Sequence, residues 1–199
     1  MSAWQPLLDW WFGPAESAGE VAAQRNGLWF GYRAEQDDQA RHLFGVQCAE
    51  ALAGGLQDWA EQPDGWLALI LLLDQLPRMI HRGTPQAFAG DARARLVLRA
   101  GLQRGFDSEL VPIRQIFPYL VLEHAEDLAL QGEAIARFTR LRDQAADDER
   151  ELFAGFLDFA ERHHEVIRRF GRFPHRNMIL GRACTAEELA FLEQPGSRF

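Results

Sequence analysis

Residues 66–82 read Trp66-Leu67-Ala68-Leu69-Ile70-Leu71-Leu72-Leu73-Asp74-Gln75-Leu76-Pro77-Arg78-Met79-Ile80-His81-Arg82. The run from Trp66 to Leu73 is apolar at every position. Opened by Pro63-Asp64-Gly65, it predicts a helix packed on all sides, because a surface helix would keep a polar face. The run is too short to span a bilayer, which takes about 20 residues. Pro77 predicts a kink or an end to the helix. Asp74 then falls where the dielectric is low, and an unpaired carboxylate there is costly. Arg78 lies four residues on and His81 seven, so a helix continuing past Pro77 puts all three on one face. Two readings follow: a buried Asp–Arg pair that locks the helix end, or a carboxylate and a guanidinium lining a pocket.

Helical periodicity extends to both sides of this stretch, and strand alternation is nearly absent. Upstream, Ala40, Leu43, Phe44, Cys48, Ala51 and Leu52 form one stripe over 35–53, closed by Gly54-Gly55. Downstream, Thr84 is a candidate cap with Pro85 in the first helical slot. Asp91 is the predicted cap of a helix to Arg104, with Gly105 as its stop. Further helices are predicted over 112–123, 125–143 and 147–170, and Thr185 to Glu188 forms a capping box for a last one. Residues before Ala34 read less clearly, with a loop at 13–19. No linker divides the chain and no period declares a repeat. The expected architecture is all-α: one domain over 1–199, built of stacked antiparallel helical hairpins.

Composition narrows the function classes. Net charge is −8 and pI is near 5.3, which argues against nucleic-acid or anionic-membrane partners, since those are held by basic surfaces. All 21 Lys+Arg residues are arginine, so Schiff-base and P-loop lysine chemistry is excluded. Cys48 and Cys184 have no metal-type spacing and read as reduced thiols. The first residues lack a basic leader pattern, and a cytoplasmic protein is expected. No nucleophile elbow, zinc-protease motif or dinucleotide fingerprint is present, so no cofactor and no metal is assigned. Oligomeric state is left open.

Two further segments concentrate polar chemistry. Glu123-His124-Ala125-Glu126-Asp127 separates two apolar helices. It reads either as acid–base groups or as caps, with Glu126 and Asp127 favouring the start of the next helix. A di-metal helix site would need Glu-x-x-His twice, and only Glu161 to His164 supplies it. Arg168-Arg169-Phe170-Gly171-Arg172-Phe173-Pro174-His175-Arg176-Asn177 is half basic. Gly171 ends one helix and Pro174 fits the first turn of another, whose free N–H groups with the arginines would suit a carboxylate or phosphate. The opposing reading pairs these arginines with the chain's surplus acids. His163, on an apolar stripe, reads as a core histidine. Trp10, Trp11, Phe12, Trp29 and Phe30 read as core or pocket wall.

Taken together, residues Leu69 to Asp91, Glu123 to Gln131, Arg169 to Asn177 continuing to Arg182, and Trp11-Phe12-Gly13 resemble the bacterial family catalogued as domain of unknown function 924. The pattern covers nearly the whole chain and departs from the family at Ala125, where serine is expected, and in the position of Pro118. The resemblance implies an all-helical fold grouped with the tetratricopeptide-like superfamily. It implies no reaction or ligand.

Three functions are consistent with these features. The leading one is a binding protein that recognises an acidic group on a peptide, protein or small metabolite. Its ligand residues would be Arg78, His81, Arg169, Arg172, His175, Arg176 and Asn177. The second is an enzyme on a small anionic substrate, with Asp74, His124, Glu126 and His175 as acid–base candidates. The third is a buried polar network that only specifies the fold. The enzyme requires the three polar segments to meet in space.

Overall fold

The computed structural model describes residues 2–197 and contains helices and turns, with no strand among those residues. Its centre is the apolar stretch quoted above. Helix α1 (Gln5–Phe12), α2 (Ala18–Trp29) and α3 (Ala34–Leu52) lead into α4 (Pro63–Ile70). Trp66 to Leu73 are all fully buried, because α1, α3, α6 (Asp91–Gln103), α7 (Phe106–Glu109) and α8 (Pro112–Glu123) pack around this helix. The all-apolar pattern thus reflects burial on every face.

The helix does not end at Pro77. It widens into a π turn over Leu71–Gln75 and continues as α5 (Leu76–Ile80). A proline in a regular α-helix lacks a donor and presses its ring on the carbonyl four residues back. The π turn absorbs both problems, as π-bulges at functional sites often do. The Leu76 N–H reaches back five residues to the Leu71 carbonyl. Carbonyls around the bulge take side-chain donors instead: Cys48 Sγ–H faces Leu72 O at 3.5 Å, and Arg78 Nη1 donates to Asp74 O at 2.6 Å. The next segment comes in very close here. A Cβ on Gly90 would lie 2.0 Å from the Leu73 carbonyl oxygen, so only glycine permits the approach.

That approach delivers α6 with Gly90 as its N-cap residue and Asp91 as its first residue. Asp91 is therefore not the cap, and its carboxylate turns to Arg78. Thr84 likewise caps nothing by its side chain; its hydroxyl donates to His81 O. Helix α9 begins at Leu128 rather than Ala125 and runs to Gln144. Asp127 is its cap and accepts from the Ala129 and Leu130 N–H groups. A short turn joins α9 to α10 (Arg150–Phe170), which packs along it as a hairpin, and α9 in turn packs on α8. No α-helix starts at Pro174. A single 3-10 turn, Pro174–Arg176, precedes α11 (Ala186–Leu192). The predicted capping box at Thr185 and Glu188 is present.

The N-terminal aromatics divide between core and wall. Trp11, Phe12 and Trp29 surround Phe117 edge-to-face at 5.0–5.4 Å. Phe30 is half exposed. Trp10 is only partly buried, against Trp11 and Phe44.

One glycine pair tests the packing. A Cβ on Gly101 of α6 would lie 2.3 Å from the Trp66 indole, whereas Gly132 of α9 has nothing within 4 Å. Gly101→Ala is expected to lower unfolding free energy by about 1–3 kcal/mol through overpacking. Gly132→Ala is expected to raise it by about 0.5–1 kcal/mol through helix propensity. Urea unfolding of the two variants checks the contrast.

Candidate functional site

The three interruptions meet. Asp74, from the π turn, is 1% exposed, and both its carboxylate oxygens lie 2.9 Å from His124 Nδ1 at the end of α8. Gln75 Nε2 donates to the same carboxylate at 2.6 Å, and Arg78 Nη1 stands 3.3 Å from it. Burial alone would raise the Asp74 pKa. The Arg78 charge, His124 and Gln75 overcome that and hold the group well below the usual carboxylate range. An ionised Asp74 can only accept, so His124 Nδ1 carries the proton and Nε2 of the neutral ring carries the lone pair. Nε2 makes no hydrogen bond with any described residue. Burial is also the largest influence on His124 and lowers its pKa below the ordinary value; Arg78 and Arg176 add to the lowering, and Asp74 opposes it.

Arg78 is the hinge of the cluster. It spans Asp74 and, through two nitrogens at 2.9 and 3.2 Å, Asp91. Arg176, from the 3-10 turn, stands 3.6 Å from Asp91 and donates to the His124 carbonyl at 3.1 Å. Its guanidinium lies between the rings of Phe88 and Phe173, 4.8 and 4.5 Å from their centroids. Burial drops its pKa to about 10, still charged at neutral pH. Its Nε is buried and has no hydrogen-bond partner among the described residues. The side chains of Arg78, His124 and Asp91 keep 15–18% exposure, which opens the cluster to solvent at one edge.

His175 lies beside Phe173, with ring centroids 5.6 Å apart. Burial, then the Arg176 charge, lowers its pKa to about 4, so it is neutral. Beneath His124 lies a second pair, Glu123 and His163. His163 Nδ1 is 2.8 Å from the Phe159 carbonyl, which can only accept, so Nδ1 donates there and toward Glu123 Oε1 at 3.0 Å. Burial and the nearby Asp74 charge push Glu123 up to about 8, and burial pushes His163 down to about 3. Despite its ion-pair distance, this is a neutral contact.

The remaining predicted residues lie outside the cluster. Glu126 accepts from the Phe173 N–H and from both Arg182 nitrogens, which lowers its pKa. It ties the 3-10 segment down and is not a cap. Arg169 pairs with Glu187, and Arg172 holds Glu188 through two nitrogens at 2.6 and 2.8 Å. Asn177 is fully buried and donates to Cys184 Sγ. His81 sits in the turn after α5, and its side chain contacts no polar group among the described residues. Asp91 and Phe88 are the members that the sequence hid, while Glu123 lay in the polar segment 123–127 without being chosen as a candidate. An acid in the first turn of a helix is ordinary, so Asp91 carried no distinguishing signal.

The fold and cluster define a small all-helical protein whose polar site is assembled from helix interruptions. The chain belongs to the family described as bacterial protein of unknown function (DUF924), whose model matches residues 7–196. It is also similar to a solved structure of a protein of unknown function from Agrobacterium tumefaciens, at 34% identity and a TM-score of 0.73. That match covers 89% of this chain and 99% of the other. No curated protein matches. No helix among the described residues is long and apolar enough to cross a membrane.

The Glu123–His163 pair sets a pH profile for stability. Glu123 rises from 4.5 to about 8, so its contribution is full below pH 4.5 and is lost as pH rises to 8. His163 falls from 6.5 to about 3, so its contribution is full above pH 6.5 and is lost as pH falls to 3. Between pH 4.5 and 6.5 the two slopes cancel. His175, lowered from 6.5 to about 4, and His124, also lowered by burial, lose their contributions as pH falls below 6.5, so thermal midpoints are expected to rise from pH 4.5 to 6.5 and decline toward pH 8. Glu123→Gln is expected to abolish the alkaline decline.

Proposed function

We propose that the cluster is an acid–base site for a small anionic substrate, with His124 as general base. The observation that carries this reading is the Asp74–His124 pair: a buried, ionised carboxylate fixes the imidazole by Nδ1 and leaves Nε2 without a hydrogen-bond partner among the described residues. A neutral, oriented imidazole at a solvent edge suits proton abstraction from water or a substrate hydroxyl near neutral pH. The proton taken by Nε2 makes an imidazolium that Asp74 stabilises, and the same proton is returned to the departing or developing oxyanion. Arg78 and Arg176 supply charge for an anionic group. Their own charges are met by Asp74 and Asp91, so an added anion is best balanced by a protonated His124. Anion binding and His124 protonation should therefore favour each other.

A second reading keeps the anion and drops the chemistry. It is favoured by Arg176, whose Nε is buried and unpartnered between two aromatic rings. In that case the protein recognises an acidic group and returns it unchanged. Of the arginines first considered for such recognition, Arg169 and Arg172 are held by acids of α11, which leaves Arg176 and Arg78.

Two measurements test the proposal. Histidine-selective NMR with added phosphate, acetate and citrate should show the His124 pKa rising with anion concentration. Turnover of small anionic esters and phosphate monoesters should fall by about 10²–10⁴ in kcat for His124→Ala with the fold retained. Activity should persist somewhat below pH 6.5, because burial lowers His124 from that value, and vanish on further acidification. Anion binding that survives in His124→Ala with no turnover in the parent would favour recognition alone. An unmoved His124 resonance with every anion would overturn both readings.

A further inference from the structure

Two cavities, lined by none of the residues of the His124 cluster, share one wall. The first, of about 280 Å³, is lined by Arg25 and Arg33 together with Gln24, Gln36 and Gln39. The second, of about 220 Å³, is lined chiefly by Leu7, Leu43, Phe44, Trp59 and Leu72. Trp10 belongs to both. Along α3 the lining positions are 33, 36 and 39 in the first and 43, 44 and 47 in the second. Steps of three and four residues keep these positions on one helix face. From 33 to 47 that face extends about 21 Å.

Charge divides the two halves. Most arginines of this chain hold a carboxylate or a backbone carbonyl. The guanidinium groups of Arg25 and Arg33 make no hydrogen bond or ion pair with any described residue, and Arg25 Nε is buried without a partner among them. The Arg25 guanidinium is seated by the fold rather than swinging in solvent. It fills the space over Gly13, where a Cβ would lie 2.3 Å from Nη2. Beside the two cations, three glutamine amides can donate to an oxyanion. Past Trp10 the walls become leucine, phenylalanine and tryptophan, which gain only from apolar surface.

We infer that this face is a binding groove for a small amphipathic anion. Its carboxylate or phosphate head would lie at Arg25 and Arg33, and its aliphatic tail would cross Trp10 into the cavity beside Leu43 and Trp59. The groove is independent of the His124 cluster and involves none of its residues.

Isothermal titration of the full chain with decanoate, butyrate and decanol, each below its micelle-forming or solubility limit, separates head from tail. Decyl phosphate tests whether the head must be a carboxylate. Decanoate is expected to bind at one saturable site, at least about tenfold tighter than butyrate or decanol, since each buried methylene adds affinity. The double variant R25A/R33A should weaken decanoate about tenfold, the loss expected for a charge-assisted head contact. L43S should weaken decanoate and leave butyrate unchanged. His124→Ala should change neither. Equal binding of decanol and decanoate, equal binding of butyrate and decanoate, or an R25A/R33A protein that binds like its parent would overturn the groove. Absence of a saturable site for both decanoate and decyl phosphate would do the same. Circular dichroism of the variants, whose substitutions fall at partly or fully exposed positions, verifies that they fold.

Discussion

A carboxylate placed directly after eight apolar residues is the constraint on which the rest depends. Asp74 enters the interior because the chain before it must be buried on every face. A charge in that position requires partners, and the partners come from far away in sequence. His124 arrives from the end of α8, Arg78 from the next turn, and Asp91 arrives to share Arg78. The π turn makes this geometry available. It lets the helix pass Pro77 without breaking and frees carbonyls for Cys48 and Arg78. It also receives Gly90 at a distance no side chain would allow.

Two neighbouring carboxylates illustrate how environment assigns chemistry. Asp74 and Glu123 are both buried, and burial raises both. Asp74 has Arg78, His124 and Gln75 within reach and stays ionised. Glu123 has a neutral histidine and the Asp74 charge nearby, and holds its proton to about pH 8. Groups of one type whose environments push them apart are the usual sign of divided acid–base roles. Here the ionised partner orients His124, and the protonated one lies behind it, away from the solvent edge.

The use of arginine alone shapes the electrostatics. A guanidinium offers a rigid fork that serves two carboxylates at once, which an ammonium does less well. Arg78 does this between Asp74 and Asp91, and Arg172 and Arg182 grip Glu188 and Glu126 with paired nitrogens. The basic stretch 168–177 is thereby split. Arg168 pairs with Glu165 of its own helix, Arg169 and Arg172 fasten α11, and Arg176 is the arginine that reaches the His124 cluster. Proximity in sequence overstated the charge available at any one point.

Sequence alone determined the all-helical class, the buried central helix and most helix limits, because periodicity and turn chemistry are local properties. It also marked the three interruptions, since polar residues flanked by apolar helices stand out by type. It did not determine that α9 starts after Asp127, because Glu126 had a distant partner in Arg182 that competed with the local cap. Nor did it reveal Asp91 as a member of the cluster, or that Glu123, in the marked segment, would pair with His163. An acid at a helix start and an acid at a helix end look alike whether they face solvent or a guanidinium. Tertiary structure decided which arginines were already paired, which carboxylate kept its proton and which nitrogen of His124 stayed without a partner. Those outcomes rest on burial and on contacts between residues 50 or more positions apart, such as Asp74 with His124 and Arg176 with the His124 carbonyl.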